Sequence, residues 1–480
     1  MEEALTGIVQ AERAAYRYPQ NGYGLPPTSM AVRTGEAVFV TGPSGCGKST
    51  LARCLTGLIP HLYRGQLDGE IWLDGLPTRD APLWQLAERA GLVFQNPAAQ
   101  MLAVSVEEEI IFGLENLGLP PDDIRERLEA TLARFGLEPL RARSPQTLSG
   151  GEQQKLALAA MIARQPPVLV LDEPLSMLDT SAAADLVAHL GDLTRAGAAV
   201  VVCEHRAEYL RRIPDGRTLR LGDGDGAGRH PEAESIAAEP PGFPAARAPG
   251  FQLDVVDLGV RWGGRRVLRD LSFSAAGGSV IAVVGRNGVG KTTLLRALAG
   301  LQKHAGTVSV NGERPDLGLV FQNADLQLFN PTVRDELLYR VPDPDMARYA
   351  WLLDALGLDR YEGTPPLILS EGEKKRVALA TVLMRAPAHG VLLDEPALGQ
   401  DALHKARLAR LARALAAAGQ LVIVTTHDLA LAARADRLLL LGPEGFVADG
   451  PPARVLCDST AWARVGLVLP EWVHSGQEPS

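Results

Sequence analysis

Two copies of one ordered set of short motifs run through these 480 residues, and that duplication limits the fold more than any single motif does. The first copy reads Gly42-Pro43-Ser44-Gly45-Cys46-Gly47-Lys48-Ser49-Thr50, then Gln95, Leu148-Ser149-Gly150-Gly151-Glu152, Asp172-Glu173 and His205. The second reads Gly285-Arg286-Asn287-Gly288-Val289-Gly290-Lys291-Thr292-Thr293, then Gln322, Leu369-Ser370-Glu371-Gly372-Glu373, Asp394-Glu395 and His427. From the Leu-Ser stretch to the histidine the copies are offset by 221 or 222 residues, so one unit is repeated along the chain.

Each glycine-rich stretch follows a short β-branched run, Val38 to Gly42 or Val280 to Gly285, and precedes a helical pattern starting at Ser49 or Thr292. That context suits phosphate: backbone N–H groups free of side-chain bulk wrap the oxygens, and the helix adds its positive end. Lys48 and Lys291 would bring a point charge to the β- and γ-phosphates, and Ser49 and Thr292 a hydroxyl to magnesium. Val168 to Leu171 and Val391 to Leu393 are continuous apolar runs ending in Asp-Glu, as in parallel strands buried on both faces. Asp172 and Asp394 at those tips can hold the magnesium, and Glu173 and Glu395 can polarise the attacking water as general bases.

Composition sets bounds on the rest. Apolar residues at 46% and charged residues at 22% describe an ordinary globular protein with room for two or three cores. A net charge of −9 gives no global electrostatic reason to hold nucleic acid. Cys46, Cys54, Cys203 and Cys457 show neither ligand nor disulfide spacing, which fits a reducing compartment. The chain opens Met1-Glu2-Glu3 without a basic n-region or apolar h-region, and no uncharged apolar run reaches the eighteen or so residues of a membrane span, so a membrane role would be peripheral. The stretch 222–250 is crowded with Gly, Pro, Ala and acidic residues and reads as a linker; a coil of that length spans roughly 30 Å. The expected organisation is a first domain over 1–221, the linker over 222–250, a second domain over 251–470 and a tail over 471–480.

Taken together, these motifs resemble the ATP-binding cassette family over nearly all of the chain outside the linker. The Leu-Ser-Gly-Gly-Glu stretch, similar to that family's signature, begins its serine 24 residues before Glu173, and its counterpart 25 before Glu395; His205 and His427 each follow their glutamate by 32 residues, as the family's switch histidine does. Gln95 and Gln322 match its Q-loop, acting in catalysis and on the metal. The resemblance implies an α/β fold of two P-loop domains, each with a mainly parallel sheet core, an antiparallel β subdomain and a helical subdomain, arranged head to tail with pseudo-symmetry. It implies ATP and Mg2+ as cofactors and an intramolecular pairing of the two domains. Each ATP would lie between one glycine loop and the other domain's signature: Ser149, Gly150 and Gly151 complete the site of Lys291, and Ser370 and Gly372 that of Lys48. Nucleotide contacts are expected from Gly42, Ser44, Gly45, Gly47, Lys48, Ser49 and Thr50, and from Gly285, Asn287, Gly288, Gly290, Lys291, Thr292 and Thr293. Tyr18 and Trp262 sit where the family places a ring against adenine.

The second copy departs from the pattern at Glu371, in place of a signature glycine, and at Ala397-Leu398-Gly399-Gln400-Asp401 against Leu175-Ser176-Met177-Leu178-Asp179. A carboxylate aimed at a triphosphate would repel it, so Glu371 is expected to point outward. Lys291, Gln322, Asp394, Glu395 and His427 are all present, which favours two hydrolytic sites.

Within the family, Phe94-Gln95-Asn96-Pro97-Ala98-Ala99-Gln100-Met101 followed by Val106 to Asn116 is similar to energy-coupling factor ATPases of vitamin and metal importers, and Phe321 to Phe329 with Pro331 to Glu336 repeats it. Glu204-His205-Arg206 resembles the first half of fused tandem ATPases in that group. This implies an integral membrane coupling subunit and a small membrane substrate-binding subunit as partners, helices after Gln95 and Gln322 forming the docking grooves, and a peripheral place on the cytoplasmic face of the cell membrane. Two alternatives stand beside it. A tandem sugar-import ATPase usually loses catalytic residues in its second copy, and a twin ATPase acting on ribosomes or nucleic acid should carry a basic patch or charged linker.

Overall fold

A computed structural model describes residues 7–19, 24–43, 45–176, 178–204, 213, 216–221, 250–262, 264–398 and 402–469. The chain divides into two units between His230 and Pro231, inside the linker, and each unit carries the same plan.

In the first unit, strands run in the order Ala90–Val93, Val168–Asp172, Ala199–Cys203, Ala37–Thr41 and Arg217–Arg220, every neighbouring pair parallel. The three middle strands are buried along almost their whole length, which explains their unbroken apolar runs: both faces need covering. Side-chain alternation splits them between two cores. Val38, Val40, Val168 and Val170 pack beneath the glycine-loop helix Lys48–Leu55 and an antiparallel sheet ordered Gly24–Val32, Val9–Arg17, Gln66–Leu73 and Leu76–Pro77. Phe39, Leu169, Leu171 and Val202 face the helices Val106–Glu115, Pro121–Phe135, Gly150–Ala163 and Thr180–Arg195.

The second unit repeats this with the order Leu317–Val320, Gly390–Asp394, Leu421–Thr425, Val280–Val284 and Arg437–Gly442, and adds one antiparallel strand, Gly445–Gly450, at the far edge. Its antiparallel sheet runs Arg265–Ala276, Gln252–Trp262, Ala305–Val310. Each unit is therefore α/β, with a mainly parallel core sheet, an antiparallel subdomain and a helical subdomain.

Sheet order fixes where chemistry collects. The strand leading into each glycine loop and the strand ending in Asp-Glu are separated by one strand, so loop, carboxylates and the tip of the intervening strand meet at the C-terminal edge. Among the described residues no helix is long and apolar enough to cross a membrane.

Candidate functional site

Each glycine loop is held open by backbone conformations that exclude side chains. Gly47 and Gly290 cap their helices in the left-handed region at φ 102° and 112°. Gly45 and Gly288 also have positive φ, 79° and 77°, and a Cβ there would meet no atom within 4 Å, so these two face open space. At Gly42 and Gly285 a Cβ would lie 2.6 Å and 2.5 Å from the carbonyl oxygens of Leu221 and Leu441. Asn287 is half-buried on the second loop; Ser44 lies outside the described residues.

Lys48 and Lys291 open their helices and are buried, each turned back over its own loop. Lys48 Nζ donates to the carbonyls of Gly42 at 2.9 Å and Pro43 at 3.0 Å, and Lys291 Nζ to that of Gly285 at 2.8 Å. The next residues reach the carboxylates: the Ser49 hydroxyl bonds Asp172, and the Thr292 hydroxyl bonds Asp394. Thr50 and Thr293 follow on the same helices, Thr50 buried and Thr293 half-buried.

Burial, then the neighbouring Glu173, pushes the Asp172 carboxyl up to about 6. Asp394 is also raised, chiefly by burial, against the hydrogen bonds of Thr425 and Thr292. Two buried carboxylates side by side are costly without a cation. A serine or threonine hydroxyl beside an aspartate is a hard oxygen donor set, and Asp172 Oδ1 is buried with no hydrogen-bond partner among the described residues; both features fit Mg2+.

Glu173 and Glu395 share an unusual backbone, φ 47° in each, in the left-handed region that a glutamate seldom adopts. Backbone hydrogen bonds hold it there, from Glu173 N to the Cys203 carbonyl at 2.8 Å and from Glu395 N to that of Thr425 at 3.1 Å. The side chains then meet the residues expected of them. Gln95 Nε2 donates to Glu173 Oε2 at 2.7 Å, and His427 lies on Glu395 Oε2, its ring Nδ1 at 2.9 Å and its backbone N–H donating at 3.2 Å. Lys291 Nζ is 3.5 Å from Glu395 Oε1. Burial would raise the Glu395 carboxyl, but His427 and then Lys291 outweigh it and hold it at about 2. Gln322, half-buried, follows strand Leu317–Val320 as Gln95 follows Ala90–Val93. His205 and Arg206, Met177, residues 399–401, the linker from 222 to 249 and the tail from 470 lie outside the described residues.

Both signature serines are helix N-caps. Ser149 heads Gly150–Ala163 and Ser370 heads Glu371–Met384, each in a reciprocal capping box with the glutamate three residues on. Gly150, Gly151 and Gly372 thus lie in the first turns of these helices, at the end where a helix carries its positive pole. Glu371 Oε1 accepts from Lys374 Nζ at 3.2 Å, and the same ammonium sits 2.9 Å from Asp325. Its carboxylate is turned along its own helix onto a cation. The two aromatic positions differ: Trp262 is 60% exposed, whereas Tyr18 packs edge-on against Tyr16 and accepts from Arg53 at 3.0 Å.

Sequence reasoning missed a second layer that fastens the loops after Gln95 and Gln322. Gln100 bridges the first, accepting from Phe94 N at 2.8 Å and donating to the Leu92 carbonyl at 2.9 Å; Gln327 does the same with Phe321 and Leu319 at 2.9 Å and 3.0 Å. The acidic residues farther on are more than a solvated helix face. Glu109 is buried and accepts the N–H groups of Leu102 and Ala103 at 2.9 Å and 2.8 Å, and Glu336, also buried, accepts those of Phe329 and Asn330 at the same distances. What they hold in place is apolar and exposed: Leu102 and Val104 at 73%, Phe329 at 63%. The signal available was the common spacing, Gln100 and Gln327 five residues and Glu109 and Glu336 fourteen residues beyond the Q-loop glutamine.

Comparison with known proteins agrees with this geometry. Residues 25–176 and 268–398 match the family model described as ABC transporter. A Bacillus subtilis protein named "Putative HMP/thiamine import ATP-binding protein YkoD" is 33% identical, the alignment covering 99% of this chain and 98% of that one. A Treponema denticola "Putative ABC transporter ATP-binding protein" is 35% identical over 84% and 88% of the two chains. Among solved structures, one titled "Model of ribosome-bound archaeal Pelota and ABCE1" superposes with a TM-score of 0.68 at 21% identity, covering 95% of this chain and 80% of that one; at such identity the likeness speaks for the fold alone.

Proposed function

The chain belongs to the ABC transporter family as a tandem of two ATP-binding ATPase domains, and from that premise we propose that it energises a membrane importer of the energy-coupling factor type, taking up a vitamin, a vitamin precursor or a metal ion. The observation that carries this reading is the doubly fastened loop of each unit, where a buried glutamate and a glutamine hold exposed apolar side chains in a fixed place. Exposed apolar side chains on ordered loops mark a docking surface. The partner proposed is the cytoplasmic helix of an integral membrane coupling subunit that in turn carries a small membrane substrate-binding subunit, with this chain peripheral on the cytoplasmic face. The import role in the name of the Bacillus subtilis relative supports the direction of transport.

In the proposed cycle each glycine loop takes one ATP, and Ser149 and Ser370 with the glycines that follow them supply further contacts to the phosphates. Loop N–H groups and Lys48 or Lys291 bind the phosphates, and Trp262 and Tyr18 face the adenines. Ser49 with Asp172, and Thr292 with Asp394, would hold Mg2+, joined by Gln95 and Gln322, and a cation held there would supply positive charge against the phosphates. Glu173 and Glu395 take the proton of the attacking water, with Gln95 and His427 fixing the carboxylate orientation. His205 is proposed to match His427 in the first site. Binding of ATP draws the two units together and hydrolysis releases them, moving the docked helices.

Gentle solubilisation of native membranes with the chain tagged, followed by mass spectrometry, tests this. Recovery of a polytopic coupling protein with a small membrane-embedded binding protein is the expected outcome. A conventional permease pair would instead indicate a sugar-type importer, and ribosomes without membrane proteins would overturn the transport reading.

A further inference from the structure

Between the glycine-loop strand and the Asp-Glu strand of each unit lies a strand whose last residue pairs in register with the aspartate: Cys203 with Asp172, and Thr425 with Asp394. Both are fully buried, so whatever these side chains donate goes to the carboxylates or to the backbone around them. In the second unit Thr425 Oγ1 donates to Asp394 Oδ1 at 2.7 Å and accepts the Glu395 N–H at 3.2 Å. One hydroxyl thereby orients the aspartate and supports the positive-φ backbone of the glutamate. In the first unit the thiol of Cys203 points elsewhere, donating to the Lys48 carbonyl at 3.5 Å, and Asp172 Oδ1 has no hydrogen-bond partner among the described residues.

We infer that Thr425 is a positioning residue that presets Asp394 and Glu395, and that Cys203 withholds this support from Asp172, so the Lys291 site takes up its nucleotide at lower Mg2+ concentration than the Lys48 site. This rests on reading the two aspartates as the Mg2+ carboxylates. A carboxylate oxygen has lone pairs for both a hydroxyl donor and a cation, and a group that orients a ligand from behind commonly changes metal affinity by tenfold or more.

The test uses the full chain and a non-hydrolysable fluorescent ATP analogue, whose binding is followed as Mg2+ is titrated. Each site is read alone, the second in a Lys48→Ala background and the first in a Lys291→Ala background. Thr425→Val is expected to raise the half-saturating Mg2+ concentration about tenfold, Thr425→Ser to restore it, and Cys203→Thr to lower it in the first site. An unchanged midpoint in Thr425→Val, or failure of the serine to restore it, overturns the positioning role; no change in Cys203→Thr overturns the proposed inequality. Asp394→Asn separates this from its premise: Mg2+ dependence that survives that substitution removes the metal reading itself, whereas dependence lost there but unmoved by Thr425→Val removes only the role of Thr425.

Discussion

Gln95 reaches across 78 residues of sequence to place its amide 2.7 Å from one oxygen of Glu173. In the second unit the corresponding Glu395 is instead held by His427 through ring and backbone nitrogens. Each glutamate thus has one carboxylate oxygen fixed by a donor from another part of its unit. Replacing Glu173 and Glu395 together by glutamine is expected to lower ATP turnover by about 10²–10⁴-fold while nucleotide still binds. A phosphate-release assay beside a nucleotide-binding assay checks this, and near-normal turnover in the double variant would refute the general-base assignment.

The lysines should behave in the opposite way. Lys48 and Lys291 are buried on their loops, their ammonium groups bonded to main-chain oxygens of the loop, with the Cys46 sulfur near Lys48 and the Glu395 carboxylate near Lys291. Lys48→Ala or Lys291→Ala is therefore predicted to weaken ATP binding itself, by tenfold or more for a lost charge-assisted contact. Equilibrium titration with labelled ATP reads the loss, and the two variants should each affect about one nucleotide per chain.

Glu371 offers a sharper check. Its carboxylate is paired with Lys374 and turned along its own helix, so converting it to the glycine found at Gly150 should change ATP affinity by no more than about threefold. A large gain in affinity would mean the carboxylate reaches the triphosphate.

Tyr361 makes a pH-dependent contribution. Burial would raise the Glu373 carboxyl, but the Tyr361 hydroxyl and the Ser370 backbone hold it below the usual carboxylate range. A carboxyl depressed in the folded state contributes stability that is present above its unfolded pKa and lost as pH falls through its folded value. Tyr361→Phe should therefore lower the melting temperature at pH 7, by the equivalent of about 1 kcal/mol, and by less once the medium is acid enough to protonate Glu373. Equal losses at pH 7 and pH 3 would contradict this.

For the outer loops, Glu109→Ala and Glu336→Ala strip two backbone N–H groups each of their acceptor. Amide hydrogen exchange at Leu102, Ala103, Phe329 and Asn330 should accelerate, and recovery of membrane partners with the tagged chain should fall. Unaltered exchange at those amides would show that the loops are held by something else.

The parts of this architecture visible in the sequence are those whose chemistry is local. Gly47 and Lys48 announce themselves because a left-handed cap and a helix-opening lysine must be adjacent, and Val168–Asp172 because burial on both faces demands an unbroken apolar run. Thr425, Gln100 and Glu109 act instead on groups brought near by sheet register or by a loop's return, and nothing in their immediate neighbours marks them. The exposed Trp262 and the more enclosed Tyr18 show the same limit: a ring near a strand end reads alike in both copies, while Arg53, which donates to Tyr18, comes from the glycine-loop helix.

The positive φ of Glu173 carries a consequence for how such a protein can change. A side chain in that region costs on the order of 1–2 kcal/mol relative to glycine, and here it falls on a buried acid beside a second buried acid. Selection for heat resistance alone would favour Glu173→Gly, which relaxes the backbone and removes a charge, and would deliver a sturdier chain that no longer turns over. A strained glutamate thus stands at both strand tips where a glycine would sit more easily and could not take the proton.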